Sequence, residues 1–142
     1  MSLMQVLQPP GWARAKGFSN GIVAQGKLVF IAGQIGWTGQ GEWVEKSFAG
    51  QFRQALQNVL AVLQLAQGRP EHLVRLTWYV LDKQEYLASL AEVGAAYREL
   101  MGRHYPTMAV VQVSGLVEDE ARLEIEATAV IPETGPVTEA AS

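Results

Sequence analysis

Short apolar blocks follow residue 18 and predict β-strands in the first third of the chain. Residues 19–24 and 27–31 form two such blocks around a Gln-Gly pair, which is typical of a β-hairpin. The second block is continuously apolar from Leu28 to Ala32, as in a strand that is buried on both faces. We therefore predict that the domain begins with two strands that pair with each other.

The middle of the chain changes to helical periodicity. Apolar residues recur every three or four positions from Phe48 to Ala66, which predicts a helix with one apolar face. Residues 73–81 are rich in Val, Leu, Trp and Tyr and predict a strand. Asp82 and Glu85 have the spacing of a capping box, which indicates a second helix that runs to about Leu100.

Two further strands, residues 107–113 and 122–131, complete the predicted domain. The predicted order is ββαβαββ, an α+β sandwich in which two helices pack on one sheet. Because this order leaves the second sheet face uncovered, we expect the chain to form oligomers. The predicted domain spans residues 17–131, between an N-terminal extension, residues 1–16, and a C-terminal tail, residues 132–142, that lacks periodicity.

The composition indicates a folded protein and disfavours several functional classes. Hydrophobic residues make up 49% of the chain, charged residues 18%, and the net charge is −3. Without a run of Lys or Arg, nucleic-acid binding is not expected. Two distant histidines and no cysteines predict no metal site. No apolar run approaches the roughly 20 residues of a membrane helix and no signal segment is evident, so we expect a cytoplasmic protein without membrane contacts.

The last predicted strand carries two carboxylates within an apolar stretch. Side chains alternate along a strand, so Glu124 and Glu126 share one face with Arg122 and Thr128. A charge near the middle of an apolar strand is costly unless it is paired. Glu124 is therefore a candidate catalytic residue, and the alternative is an ion pair with Arg122 or with a neighbouring subunit. We interpret Glu126 as structural.

An ordered set of motifs resembles the RidA family, also called YjgF or L-PSP. The matching segments span about Gly17 to Val130 and occur in the order Gly26 to Ile35, Gly41-Glu42, Arg53 to Val59, Val80 to Asp82, Pro106, and Glu124 to Val130. The resemblance implies a chorismate-mutase-like fold and a homotrimer with small-molecule clefts between neighbouring subunits. It implies no cofactor.

The resemblance also implies roles for individual residues. In active members of that family, an arginine at the position of Met108 grips the carboxylate of a 2-imino acid. A backbone amide at the position of Gly33 assists it. A glutamate at the position of Glu124, with a backbone carbonyl matching that of Val110, holds the water that attacks the imine carbon.

The chain departs from this pattern inside the cleft. It keeps Glu124, Gly33 and Gln34, but Met108 replaces the arginine and Phe18 replaces a tyrosine that lines the cleft. Methionine cannot hold a carboxylate, and an anion beside Glu124 would be repelled. We therefore expect a small-molecule ligand without a free carboxylate, unless another cation reaches the cleft.

Four basic residues are candidates for that cation: Arg14, Lys16, Arg103 and His104. His104 is also a candidate ligand-binding residue. Histidine side chains titrate near neutral pH, and His104 lies just before the Pro106 segment.

Three functions remain open at this point. The first is hydrolysis of an imine, enamine or related electrophile, with Glu124 positioning water and Met108 altering substrate choice. The second is a trimeric protein that binds a small metabolite without chemistry. The third, endoribonuclease or translation inhibitor, is a label that the family carries, and the acidic balance of the chain disfavours it.

Overall fold

The computed structural model describes residues 4–133 and confirms the predicted α+β class. The predicted tail beyond Glu133 and the first three residues of the predicted extension lie outside the described part. The strands are β1 (Met4–Leu7), β2 (Gly21–Ala24), β3 (Lys27–Gln34), β4 (Leu73–Val80), β5 (Thr107–Gln112) and β6 (Leu123–Ile131). The helices are α1 (Phe48–Leu65), α2 (Lys83–Ala88) and α3 (Leu90–Met101).

A four-stranded sheet in the order β3-β6-β4-β5 forms the centre of the domain. The β6 strand is antiparallel to both of its neighbours, whereas β4 and β5 are parallel. The α1 helix packs on one face of this sheet and buries Phe52, Leu56, Val59 and Leu63 completely. Ser47 caps this helix, because its side chain accepts a hydrogen bond from the backbone N–H of Gly50 at 3.0 Å.

The predicted hairpin between β2 and β3 is wrong. The β2 strand pairs with β1 instead, and β3 pairs with β6. Gly26 explains the difference, because it has a φ of +150° and a Cβ there would overlap the backbone of Ile131 at the end of β6. This glycine serves a close approach to β6 and does not turn the chain back on itself.

The predicted second helix is divided into α2 and α3 at Ser89. The Ser89 side chain donates to the carbonyl oxygen of Glu85 at 2.9 Å, and its backbone leaves the helical region with φ −108° and ψ 10°. Serine competes in this way with the helix backbone for hydrogen bonds. The α3 helix that follows the break lies beside α1.

The face of the sheet that points away from α1 has no cover within residues 4–133. We call it the open face; its exposed apolar side chains are Leu28, Phe30 and Val111, at 61%, 74% and 43% of their full accessibility. An uncovered face is what the predicted element order requires, and its association with other subunits stays a prediction. Among the same residues, no helix is long and apolar enough to span a membrane.

A buried glutamine ties α1 to the segment that leads into β6. Gln51 is 2% exposed; its side-chain amide donates to the carbonyl oxygens of Glu45 at 3.3 Å and Glu120 at 3.1 Å, and its carbonyl accepts from the backbone N–H of Arg122 at 2.8 Å. We expect Gln51→Leu to lower the free energy of unfolding by about 1–3 kcal/mol, because the abandoned backbone groups lose their partners.

Urea denaturation measures this loss, and Gln57→Leu on the exposed side of α1 is the matched control. The control should change stability by no more than about 0.5 kcal/mol. Equal effects of the two substitutions would show that the Gln51 hydrogen bonds do not stabilise the domain.

Candidate functional site

The predicted site residues lie on opposite faces of the four-stranded sheet. On β6, Leu123 and Ile125 point into the core, so the intervening Glu124 points to the open face. On β5, Met108 and Val110 pack against the core on the side of the helices. The open face and the helix side of one chain therefore each carry part of the predicted site.

Glu124 occupies a half-buried position beside Gly33 on the open face. A Cβ on Gly33 would overlap the Glu124 carboxylate, so the absence of a side chain there makes room for this group. Among residues 4–133, the carboxylate has no hydrogen-bond or ion-pair partner. The neighbouring Gln34 donates its side-chain amide to the carbonyl oxygen of Ala32 at 3.0 Å and so bonds to its own strand.

Arg122 does not neutralise Glu124. Its guanidinium pairs with Glu85 at 2.6 Å and donates to the carbonyl oxygen of Lys46 at 2.8 Å. The alternative in which Glu124 pairs with Arg122 on its own strand is therefore wrong. The ion pair instead fastens the start of β6 to α2.

Glu126 has a partner on the open face that Glu124 lacks. The hydroxyl of Tyr79 on β4 donates to the Glu126 carboxylate. This hydrogen bond is the main cause that raises the pKa of Tyr79 above its ordinary value. The contact links two neighbouring strands and agrees with the structural interpretation of Glu126.

A cavity of about 430 Å³ opens on the helix side of the sheet, and we call it the helix-side cavity. Its lining includes Phe18, Met108 and Val110, so three of the predicted site residues lie together. Met108 lines the space without closing it. Tyr97 and Tyr105 stack along another part of the wall, with ring centroids 5.4 Å apart and planes 4° from parallel.

His104 lies in a second cavity that adjoins the first through Phe18 and Tyr105. Its Nε2 donates to the carbonyl oxygen of Leu73 at 2.6 Å, which holds the ring against the start of β4. Arg14 and Arg103 also line this second cavity. Of the four candidate cations, Lys16 alone lines the helix-side cavity.

Comparison with known proteins places this arrangement in a family. Residues 11–131 match the family described as Endoribonuclease L-PSP. The chain belongs to the RidA/YjgF/L-PSP family. A RutC family protein of Pyrococcus horikoshii is 34% identical over 75% of this chain and 82% of its own length.

A 2-iminobutanoate/2-iminopropanoate deaminase of Escherichia coli K12 is 32% identical over 74% of this chain and 80% of its own length. Among solved structures, a protein of unknown function of the conserved Rid family from Yersinia pestis superposes with a TM-score of 0.82. It is 30% identical and covers 91% of this chain and 99% of its own. The predicted resemblance to the RidA family is confirmed.

In this RidA family member, the helix-side cavity also has a cation that is absent from the predicted site residues. Arg98 of α3 lines the cavity together with Gly94. The two residues are four positions apart in a helix, so they lie on the same side of it. This four-residue spacing was the only feature of the sequence that could have indicated the role of Arg98. It becomes informative only when the structure shows that this side of α3 faces the cavity. No group of three or more metal-ligating side chains occurs within residues 4–133.

Proposed function

We propose that the chain hydrolyses a small imine, enamine or related electrophile in a cleft between two subunits of a homotrimer. The observation that carries the proposal is the unpartnered Glu124 carboxylate beside Gly33 on the open face. The deaminases among its relatives, at 32% identity, support the same class of reaction.

In the proposed reaction, Glu124 holds a water molecule and accepts a proton as the water oxygen adds to the imine carbon. The adduct then collapses: the carbonyl forms and the carbon–nitrogen bond breaks. The nitrogen leaves as ammonia or an amine and takes up the protons released from the water. Glu124 suits this role because no cation within residues 4–133 occupies its oxygens.

The cleft must combine two subunits in this proposal. The side chains of Glu124 and Met108 project from opposite faces of the same sheet, so no single chain can bring both to one ligand. One subunit would supply Glu124 and Gly33, and its neighbour would supply Phe18, Met108 and the backbone of Val110. The exposed apolar side chains of the open face support this association, because exposed apolar patches mark interfaces.

Met108 should alter the choice of substrate relative to family members that carry arginine at this position. A thioether is flexible and polarisable and accommodates apolar groups, but it offers no charge. The same replacement favours the second candidate function, in which the trimer binds a metabolite without turnover. RNA cleavage has the least support, because the net charge is −3 and no basic run is present.

The experiment that tests the proposal compares hydrolysis of freshly generated imines by the wild-type chain and by Glu124→Gln. Both a 2-imino acid and an uncharged imine should be offered. Tight binding of a neutral ligand without turnover of any imine would favour the non-catalytic alternative.

Gly33→Ala is expected to reduce this hydrolysis by about 10²-fold, because the new methyl group displaces the Glu124 carboxylate. The free energy of unfolding should change by no more than about 1 kcal/mol, since the displaced group is a flexible side chain. Gly39→Ala is the control, because a Cβ there meets no atom within 4 Å. Full activity of Gly33→Ala would show that the position of the Glu124 carboxylate does not matter for hydrolysis.

A further inference from the structure

The lining of the helix-side cavity is positively charged. Lys16 and Arg98 line it, and no Asp or Glu side chain within residues 4–133 does so. Neither cation forms a hydrogen bond or an ion pair within that part of the chain. Glu99, the residue after Arg98, is paired with Arg53 at 2.8 Å.

Gly94 keeps space for the Arg98 guanidinium beside the cavity. A Cβ on Gly94 would lie 3.2 Å from Nη1 of Arg98, so a larger residue would press on this group. With glycine, the guanidinium lies back along α3 over the preceding turn, the direction that long helical side chains favour. The planar guanidinium is suited to bind a carboxylate through two parallel hydrogen bonds.

The remaining wall is aromatic and largely apolar. Phe18, Trp78, Tyr86, Tyr97 and Tyr105 all line the cavity, and Trp78 meets Tyr86 edge-on at 6.1 Å. Offset and edge-to-face contacts of this kind favour a flat ring as ligand. A volume of about 430 Å³ exceeds what the few heavy atoms of 2-iminopropanoate require, and it lies in the range of sites for larger metabolites.

Two further observations concern polar groups in this wall. Trp78 is 4% exposed, and its indole N–H has no acceptor within residues 4–133, so it is an unused buried donor in a residue that lines the cavity. Burial raises the pKa of Tyr86 and Tyr97 above the ordinary value of a phenol, so both hydroxyls stay uncharged. The tyrosines thus add no negative charge that would oppose an anion.

We propose that Arg98, assisted by Lys16, binds the carboxylate of an aromatic 2-imino acid or its 2-oxo acid product. The aromatic wall holds the ring of this ligand. Arg98 thereby supplies from α3 the charge that Met108 does not supply from β5. The inference rests on the proposed function in treating the helix-side cavity as the substrate-binding half of the cleft. The expectation of a ligand without a carboxylate held only if no other cation lined the cleft, and Lys16 and Arg98 meet that exception.

Calorimetric titration tests the inference without any turnover. The probes are 3-phenylpropanoate, phenylpyruvate and the uncharged 3-phenylpropanamide. We expect the wild-type chain to bind both carboxylates at least about tenfold more tightly than the amide, because a charge-assisted pair is lost with the amide. Phenylpyruvate should also bind more tightly than pyruvate, which lacks the ring.

Arg98→Met keeps the length of the side chain and removes its charge. It should weaken binding of both phenyl carboxylates by about tenfold and leave binding of the amide unchanged. Arg98→Lys should restore part of the affinity, and the double variant Lys16→Met with Arg98→Met should lose the preference for the carboxylates. Arg103→Met is the matched control, because Arg103 lines the second cavity and not this one.

The inference is overturned if the carboxylates and the amide bind equally, if none of the phenyl probes binds, or if Arg98→Met behaves as Arg103→Met does. Failure of the proposed function gives a different result. In that case the titrations match expectation, yet no imine is hydrolysed faster with the wild-type chain than with Glu124→Gln. If hydrolysis is lost in Glu124→Gln but is unchanged in Arg98→Met, the proposed function is retained and the inference about Arg98 is wrong.

Discussion

Glu124→Gln is expected to slow hydrolysis of a responsive imine by about 10²–10⁴-fold, because an amide cannot accept the proton that attacking water releases. The substitution keeps the size of the side chain, and its carboxylate has no partner within residues 4–133 to lose. Stability and assembly should therefore stay at the wild-type level. Initial rates with freshly generated imines, measured beside thermal unfolding, check both parts of the expectation.

Glu126→Gln is the matched control, because Glu126 lies on the same strand and the same face. It loses part of the interaction with the Tyr79 hydroxyl, so we expect a small change in stability and a rate within a few-fold of wild type. Equal loss of rate in the two variants would show that any change of charge on this face of β6 slows hydrolysis, and that Glu124 has no specific role. An unchanged rate in Glu124→Gln would remove Glu124 from the mechanism.

Phe30→Glu is expected to dissociate the proposed homotrimer into monomers and to abolish hydrolysis with it. Phe30 is 74% exposed on the open face, on the edge strand β3 and opposite Thr128 of β6. Burial of such a ring against another subunit contributes roughly 1.5–3 kcal/mol, and a buried unpaired carboxylate adds a further cost. Light scattering measures the mass, and circular dichroism should show an unchanged fold.

Leu65→Glu provides the control for this experiment. Leu65 is 87% exposed at the end of α1, on the other side of the sheet, and the same change of charge there should leave the mass unaltered. A wild-type chain that is monomeric in solution would contradict the assembly itself. A monomeric Phe30→Glu that keeps full activity would contradict the need for a cleft built from two subunits, because Glu124 and Met108 would then not have to meet.

Much of the fold was accessible from the order of residues. The apolar stripe of α1 was predicted from Phe48 to Ala66 and is observed from Phe48 to Leu65, since a period of three to four residues is a local property. The placement of Glu124 on the face opposite Leu123 followed in the same way from strand alternation. The prediction of a hairpin was wrong. The Gln-Gly pair is typical of hairpin turns, but here Gly26 allows the backbone to approach β6, with which β3 pairs.

The candidate site was accessible only in part. The RidA resemblance pointed to Glu124, Gly33 and Met108, but it carried no information on which cations surround Met108 in this chain. Arg98 of α3 and Met108 of β5 line the same cavity in the folded domain, and no local pattern in the sequence shows this. Arg122, by contrast, was a candidate partner of Glu124 until its ion pair with Glu85 excluded it.

The sequence by itself determined the α+β class, the family and the faces of individual elements, because periodicity and ordered motifs are properties of neighbouring residues. Tertiary structure alone decided that β3 joins β6, that Glu124 and Met108 lie on opposite faces, and that Arg98 lines the cavity. These features depend on contacts between residues far apart in the chain. Such contacts are selected by the packing of the whole domain, so no local pattern contains them.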